Sequence, residues 1–385
     1  MILKRPPGDN FTMRLFFHLK KQVRVPHSII YTWSTVLDPL YPFGVVLLQP
    51  ETHYRLKLLN MVTENLVIIG VKDHLTSTHF NPWTDDKPTI AEYLNDFFKF
   101  YNEKKFILLT SLENLEAYIK QDNLRIVPWG GDITNHQQEY LQIDPCLDKN
   151  LSSNTSFLSL NRNLRHHRVF LINLILGLGI ENKGLISRHF KKDASLDWIY
   201  NTKQLHIQKI IEKGWLRANL YDGFLNESAD IYTNNNNDNP SNFKNKLKNF
   251  YRETFVEIIS ETSCTEKCFN ITEKTLNSFY GCNFPIFISS KGTVRTLREI
   301  GFDMFDDIIN HQYDELDNVV DRIFRAITDN LELLSNVERT KNFWISSRER
   351  FIKNVDLAKL DMYNYYSDRA SYNFGAALNE FRLHN

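Results

Sequence analysis

Cysteine is scarce in this chain, with four residues (Cys146, Cys264, Cys268, Cys282) among 385. Four thiols over that length do not make a disulfide framework, and reduced cysteines are the expectation. Cys264 and Cys268 are four apart, but no second pair and no histidine stand at ligand spacing, so no zinc site is read there. Net charge is absent as well: 46 Lys+Arg balance 46 Asp+Glu. That excludes a global basic field for tight non-specific DNA binding and leaves room only for a local patch. Long apolar runs are missing. The longest, Val169 to Ile180, is broken by Asn173 and Gly177 and is too short to span a bilayer. The start, Met1-Ile-Leu-Lys-Arg-Pro-Pro-Gly8, has basic residues, but Arg14 and His18 interrupt the apolar stretch that a signal peptide needs. A soluble, cytoplasmic protein without a membrane span is the expectation. No internal repeat of 20–50 residues is visible.

What is present is ordinary for a globular protein, with 42% hydrophobic and 24% charged residues. A single core seldom grows past roughly 250–300 residues, so two domains are expected. Pro39, Pro42 and Pro50 mark loops near the start. Strand patterns follow at 65–70, 105–110 and 124–128, with helical spacing over 89–103 and 112–121. This alternation argues for a parallel α/β sheet. The polar stretch 147–156 is the predicted domain boundary. Beyond it come strands at 157–160 and 184–187 around a helix over 163–178. Residues 195–230 read as mixed helix and loop, and the Asn-rich stretch 233–245 as a loop. The last third gives strands at 255–259 and 284–288. Its helices are predicted over 273–280 (closed by Gly281), 293–300 (closed by Gly301), 315–333 and 338–352, and in the tail.

Two stretches could carry chemistry. Asn161-Arg-Asn-Leu-Arg-His-His-Arg168 follows a strand and opens a helix. Amides at a helix start favour an anion, and arginine adds bidentate phosphate donors. Cations there oppose the helix dipole unless an anion is expected. Arg162 and Arg165 are therefore read as diphosphate contacts, with His166 and His167 as flanking residues. The second stretch is Thr272-Glu273-Lys274, at the start of the helix over 273–280. Capping accounts for Thr272 and Glu273 but not for Lys274. A Glu–Lys pair at a strand-to-helix junction suits a nucleotide: the carboxylate accepts ribose hydroxyls, and the ammonium meets phosphate. Ser289, Ser290, Lys291 and Arg295 follow the next strand, at the sheet edge where open α/β sheets bind ligands.

The segment Asn270-Ile-Thr-Glu-Lys-Thr-Leu-Asn-Ser-Phe-Tyr-Gly-Cys-Asn-Phe-Pro-Ile-Phe-Ile288 resembles the donor-binding segment of the alpha-1,3-fucosyltransferase family. Phe255–Glu261 is similar to that family's strand ending in Glu-Asn, here Glu-Thr. Leu297–Asp306 looks like a stretch of phage- and virus-encoded glycosyltransferases. The resemblance covers roughly residues 157–335. It implies an α/β protein of the GT-B fold: two facing Rossmann-like domains with a C-terminal helical tail. The domains would be 1–150 on the acceptor side and 151–350 for the nucleotide-sugar, with the tail, 351–385, packing back on the first. By the same resemblance Glu273 would hold the ribose, Lys274 the diphosphate, Arg162 or Arg165 would serve as the phosphate-binding arginine, and Glu261 would lie near the donor sugar. The nucleotide-sugar is a co-substrate in such enzymes, with no cofactor and no obligate metal. No Asp-x-Asp in a metal-dependent context is evident.

An inverting transfer needs a base within reach of the acceptor hydroxyl. Candidates in the first domain are Asp132, after Trp129-Gly130-Gly131, and Asp73 or His74, after the 65–70 strand. Asp85 and Asp86 read as solvated. The expected activity is transfer of a sugar from a nucleotide-diphosphate sugar to a hydroxyl, on a glycan or another acceptor. The alternatives are a phage-type transferase acting on a modified DNA base and a nucleotide- or glycan-binding protein without catalysis.

Overall fold

Two four-stranded sheets, each wholly parallel among the described residues, organise the chain. The computed structural model describes residues 27–32, 66–71, 95, 98–99, 101–110, 115–117, 119, 121–128, 143–161, 166–188, 247–261, 264 and 271–383. They fall into two compact units. One comprises Met1–Gln138, Glu266–Thr272 and Leu360–Asn385, the other Glu139–Thr265 and Glu273–Lys359.

In the first unit the strands β1 (His27–Thr32), β2 (Leu66–Val71), β3 (Lys105–Thr110) and β4 (Leu124–Pro128) pair in sequence order. β1 is a strand that sequence patterning did not find. Strand β3 is buried from Phe106 to Thr110, as an inner parallel strand covered on both faces should be. The expected helix over 89–103 is helical at residues 95, 98 and 99 and gives way to a turn at 101–103, and Phe98 packs edge-on against Phe106 at 5.0 Å. The expected helix over 112–121 is reduced, in its described part, to a 3-10 turn, Leu115–Ala117.

The second unit holds β5 (Phe157–Asn161), β6 (Gly184–Arg188), β7 (Val256–Ser260) and β8 (Phe284–Ile288), in the order β6-β5-β7-β8. Its helices are α1 (His166–Gly177), α2 (Lys248–Glu253), α3 (Glu273–Gly281), α4 (Thr293–Ile300), α5 (Val319–Thr328), α6 (Leu331–Ser335) and α7 (Val337–Ser346). Helix α8, Arg348–Leu383, runs through Lys359 in this unit and from Leu360 in the first. Within the second unit α8 buries Phe351, Val355 and Ala358. Within the first it buries Ala370, Phe374, Ala377, Leu378 and Phe381, a stripe at helical spacing. There Lys105 donates to the Phe381 carbonyl at 3.0 Å, and Arg125 lies 5.0 Å from the Phe381 ring.

Several sequence expectations shift. Residues 195–230 and 233–245 lie outside the described residues. Helix α1 is not one-sided: Phe170, Leu171, Ile172, Asn173, Leu174 and Ile175 are all buried, and α5 packs against it. The helix expected over 315–333 breaks at Asn330, whose amide donates to the carbonyls of Asn310 and Ala326. The helix expected over 338–352 breaks at Ser347.

The polar stretch 147–156 is no linker but an ordered part of the second unit. Lys149 is buried and donates to the carbonyls of Tyr251 (2.5 Å), Thr254 (2.9 Å) and Gly281 (2.6 Å) and to Asn283 Oδ1. Burial pulls its pKa down to about 8, so the ammonium persists at neutral pH. It thereby neutralises the carbonyl ends of both α2 and α3. Asn150 adds hydrogen bonds to Glu253 at 2.9 and 3.0 Å.

The end of α3 also differs in detail. The left-handed residue is Cys282 (φ 50°), not Gly281. Gly281 is needed for space: a Cβ there would stand 2.1 Å from the Tyr251 ring. The turn tolerates a non-glycine because its polar groups are all anchored, the Cys282 carbonyl by the Trp344 indole at 2.7 Å and Asn283 by Thr254 at 3.0 Å. Gly281→Ala is therefore expected to destabilise the protein by about 1–3 kcal/mol through overpacking. Urea unfolding measures it, and an unchanged midpoint would show that Tyr251 can move aside.

Candidate functional site

The chain reverses direction across the second sheet at β5. From β5 it moves to β6 on one side, then returns to β7 on the other. Ligands of open parallel sheets bind at such a switch point, beyond the carboxyl ends of the two strands. Here the strands also part. β5 pairs with β6 at five positions and β7 with β8 at five, but β5 meets β7 only at Phe157–Val256 and Leu158–Glu257. Past those pairs β7 keeps β8 on one side and has no strand paired with it on the other.

Side chains that follow β5 meet the end of β7 on that side. Arg168, in the first turn of α1, is buried and donates to Ser260 Oγ (3.2 Å), the Ser260 carbonyl (3.0 Å) and the Glu261 carbonyl (3.4 Å). The buried His167 ring contacts the same Glu261 carbonyl through Nε2 at 3.0 Å, so Nε2 carries the proton. Asn161, the last residue of β5, is buried, and its Oδ1 has no partner. A buried acceptor left open at a strand end is unusual enough to mark the place.

From the other side comes α3. Glu261 is buried, and its Oε1 accepts from Thr275 Oγ1 at 3.1 Å. The Lys274 ammonium lies 3.7 Å from Glu261 Oε2 and 3.1 Å from Glu273 Oε1. Burial works against its charge, and Arg168 adds to that, but the two carboxylates outweigh both and hold its pKa above the usual lysine value. Glu273 and Lys274 each keep about a quarter of the side chain exposed (28% and 26%), enough to meet a ligand. Thr272 is buried, at the point where the chain passes from one unit to the other.

Of the residues singled out in the sequence, the structure thus brings together Glu261, Glu273 and Lys274, and adds His167 and Arg168, which had been read as flanking or left aside. Arg162 and Arg165 lie outside the described residues, as do Asp73, His74 and Asp132. The loop after β8 is occupied by the protein's own charges. Arg295 makes a two-pronged contact with Glu315 (3.1 Å twice), and Lys291 pairs with Asp317 at 2.7 Å. Asp314 Oδ2 accepts from the Arg295 amide at 3.0 Å, so a carboxylate already caps α4. Ser289 and Ser290 are buried there, and Ser290 Oγ has no partner. A separate cleft of about 610 Å³ is lined by Arg298, Asp306, His311, Asp314 and others, none of them in the group around Lys274. Arg298 and Asp306 are joined there by two hydrogen bonds. Both ring nitrogens of His311 are engaged, and burial lowers its pKa to about 4.

No protein-family model matches the chain, and no curated protein does. Among solved structures, a glycosyltransferase from Rickettsia africae ESF-5 is similar over 90% of this chain and 99% of its own, at 12% identity and a TM-score of 0.35. A likeness of that size carries no argument, and the chemistry rests on the geometry.

Glu257 lies on β7, four residues before Glu261. It is buried, accepts from the Tyr251 hydroxyl at 2.8 Å, and faces Ser278 with Oε2 unpartnered. Burial raises its pKa from 4.5 to about 8, opposed by Tyr251, Ser278 and Lys149 and assisted by Glu261. The folded state thus holds a proton that the unfolded chain releases. The resulting stability is complete below pH 4.5 and is lost as pH rises through about 8. Lys149 acts only above that window. Glu257→Gln should flatten the fall in stability between pH 5 and 8, read by urea unfolding across that range. An unaltered slope would mean that Glu257 is ionised in the folded protein.

Proposed function

We propose that the chain is a glycosyltransferase that moves a sugar from a nucleotide-diphosphate sugar to an acceptor hydroxyl. The observation that carries the reading is the meeting of Lys274, Glu273 and Glu261 with the start of α1 at the parted ends of β5 and β7. Cleavage of the sugar–phosphate bond leaves negative charge on the diphosphate, and preformed positive groups that meet it lower the barrier. Lys274 supplies that charge on the α3 side, with Arg162 and Arg165 as its counterparts before α1. Glu273, partly open to solvent, accepts the ribose hydroxyls, and Glu261 orients Lys274 and borders the sugar. Arg168 supports the group from within by holding the strand end.

Inversion at the transferred sugar, catalysis by protein cations without a metal, and a base drawn from Asp132, Asp73 or His74 belong to the same reading. So does a GT-B organisation, for which the parallel sheet in each unit is the raw material. A glycan is the favoured acceptor. Even charge balance weighs against DNA.

The test is calorimetric titration with UDP, GDP, ADP and CMP, followed by release of free sugar from the matching donor. One nucleotide should bind, and Lys274→Ala should weaken it about tenfold or more, since a charge-assisted hydrogen bond contributes about 1.5–3 kcal/mol. Sugar release should fall with it while the melting temperature holds. Undiminished binding by Lys274→Ala would remove Lys274 from the site.

A further inference from the structure

Arg322, on α5, has no role in the contacts described so far. It is buried, and its hydrogen bonds go to main-chain carbonyls. Nε donates to Ser289 at 3.0 Å, Nη1 to Leu316 at 2.5 Å and, at a longer 3.5 Å, to Asp317, and Nη2 to Cys264. Burial lowers its pKa, against the pull of the nearby Asp314 and Asp317. A buried guanidinium of this kind is a poor source of stability in itself. What it offers is shape: a rigid planar fork with donors along three edges, able to hold several acceptors at fixed separations.

The acceptors belong to segments that are distant in sequence. Cys264 is three residues past Glu261, on the loop leaving β7. Ser289 is the first residue after β8. Leu316 precedes α5. The loop after β8 is fastened further along by the same stretch of chain, since the Gly292 amide donates to the Asp314 carbonyl at 3.1 Å. Residues 314–322 therefore form a bracket along the carboxyl edge of the sheet, and Arg322 is where it grips the β7 and β8 exits together.

We infer that Arg322 is a positioning residue for the donor site, setting the spacing between the loop that follows Glu261 and the loop that follows β8. This rests on the reading of the Lys274 group as a nucleotide-sugar site. Arg322 touches no ligand in this account. It acts through backbone it holds from behind, so it should govern how tightly the donor nucleotide is bound more than how fast the bound donor reacts.

Arg322→Lys tests this. Lysine keeps the charge and the apolar stem but ends in one compact ammonium; it can gather carbonyls that converge on a point, as Lys149 does, but not carbonyls spaced to the three edges of a guanidinium, as those of Ser289, Leu316 and Cys264 are. Arg350→Lys serves as the control for lost stability, because Arg350 pairs with Asp303 and Asp307 well outside the group. The nucleotide that binds the wild type should bind Arg322→Lys about tenfold more weakly, with a matching rise in donor KM and kcat within about threefold. Arg350→Lys should bind as wild type. If the wild type binds and Arg322→Lys binds equally well, the positioning role is wrong while the site reading stands. If the wild type binds no nucleoside diphosphate, the site reading fails and takes this inference with it. Should Arg322→Lys not fold, amide hydrogen exchange on the wild type decides: Cys264 and Ser289–Gly292 should open with one shared free energy, and independent opening would overturn the role.

Discussion

The parting of β5 from β7 is the constraint on which the second unit depends. A parallel sheet satisfies its backbone groups by pairing neighbours, and here two inner strands stop pairing after two residues. On the β5 side, the end of β7 at Ser260 and Glu261 is left without a paired strand, although both residues are buried. Arg168 and His167 take their carbonyls instead. That substitution fixes the direction in which Glu261 leaves β7, and with it the positions of Thr275 and Lys274 on α3.

The same device recurs. Lys149, Arg168 and Arg322 are all buried cations that donate to main-chain oxygens of segments distant from them in sequence. Each sits where the sheet or a helix ends and carbonyls run out of backbone partners. Lys149 gathers the ends of α2 and α3, Arg168 the end of β7, and Arg322 the exits of β7 and β8. Cations suit these places because helix and strand ends present clustered carbonyl dipoles, and one multivalent donor satisfies several at once. The arrangement keeps both ends of α3 in fixed register with the sheet, although that helix is only 9 residues long.

Local pattern revealed the elements and hid the joints. Runs such as Phe284–Ile288 and Lys105–Thr110 read directly as buried strands because their apolar content has no other use. Glu273 and Lys274 were legible too, since charged residues at a strand-to-helix junction stand out against an apolar background, whereas Glu261 came into view only through the family resemblance. The short strand His27–Thr32 was not, in a start crowded with prolines. The stretch 147–156 reads as a domain boundary because its polarity is real, and only the carbonyls that meet Lys149 make it part of the core. Arg168 was passed over for a similar reason. Its place on the unpaired side of β7 is something no single stretch of sequence displays. The left-handed Cys282 beside an available Gly281 follows the same rule: the Tyr251 ring, thirty residues earlier, decides where glycine is required.

A crystal structure of the protein with the nucleoside diphosphate it binds tests the central claim most directly. The two phosphates are expected beyond the carboxyl ends of β5 and β7, with an oxygen within hydrogen-bond reach of Lys274 Nζ and the ribose hydroxyls on Glu273. A nucleotide seated instead in the cleft lined by Arg298, Asp306 and His311, away from Lys274 and Glu273, would contradict the claim.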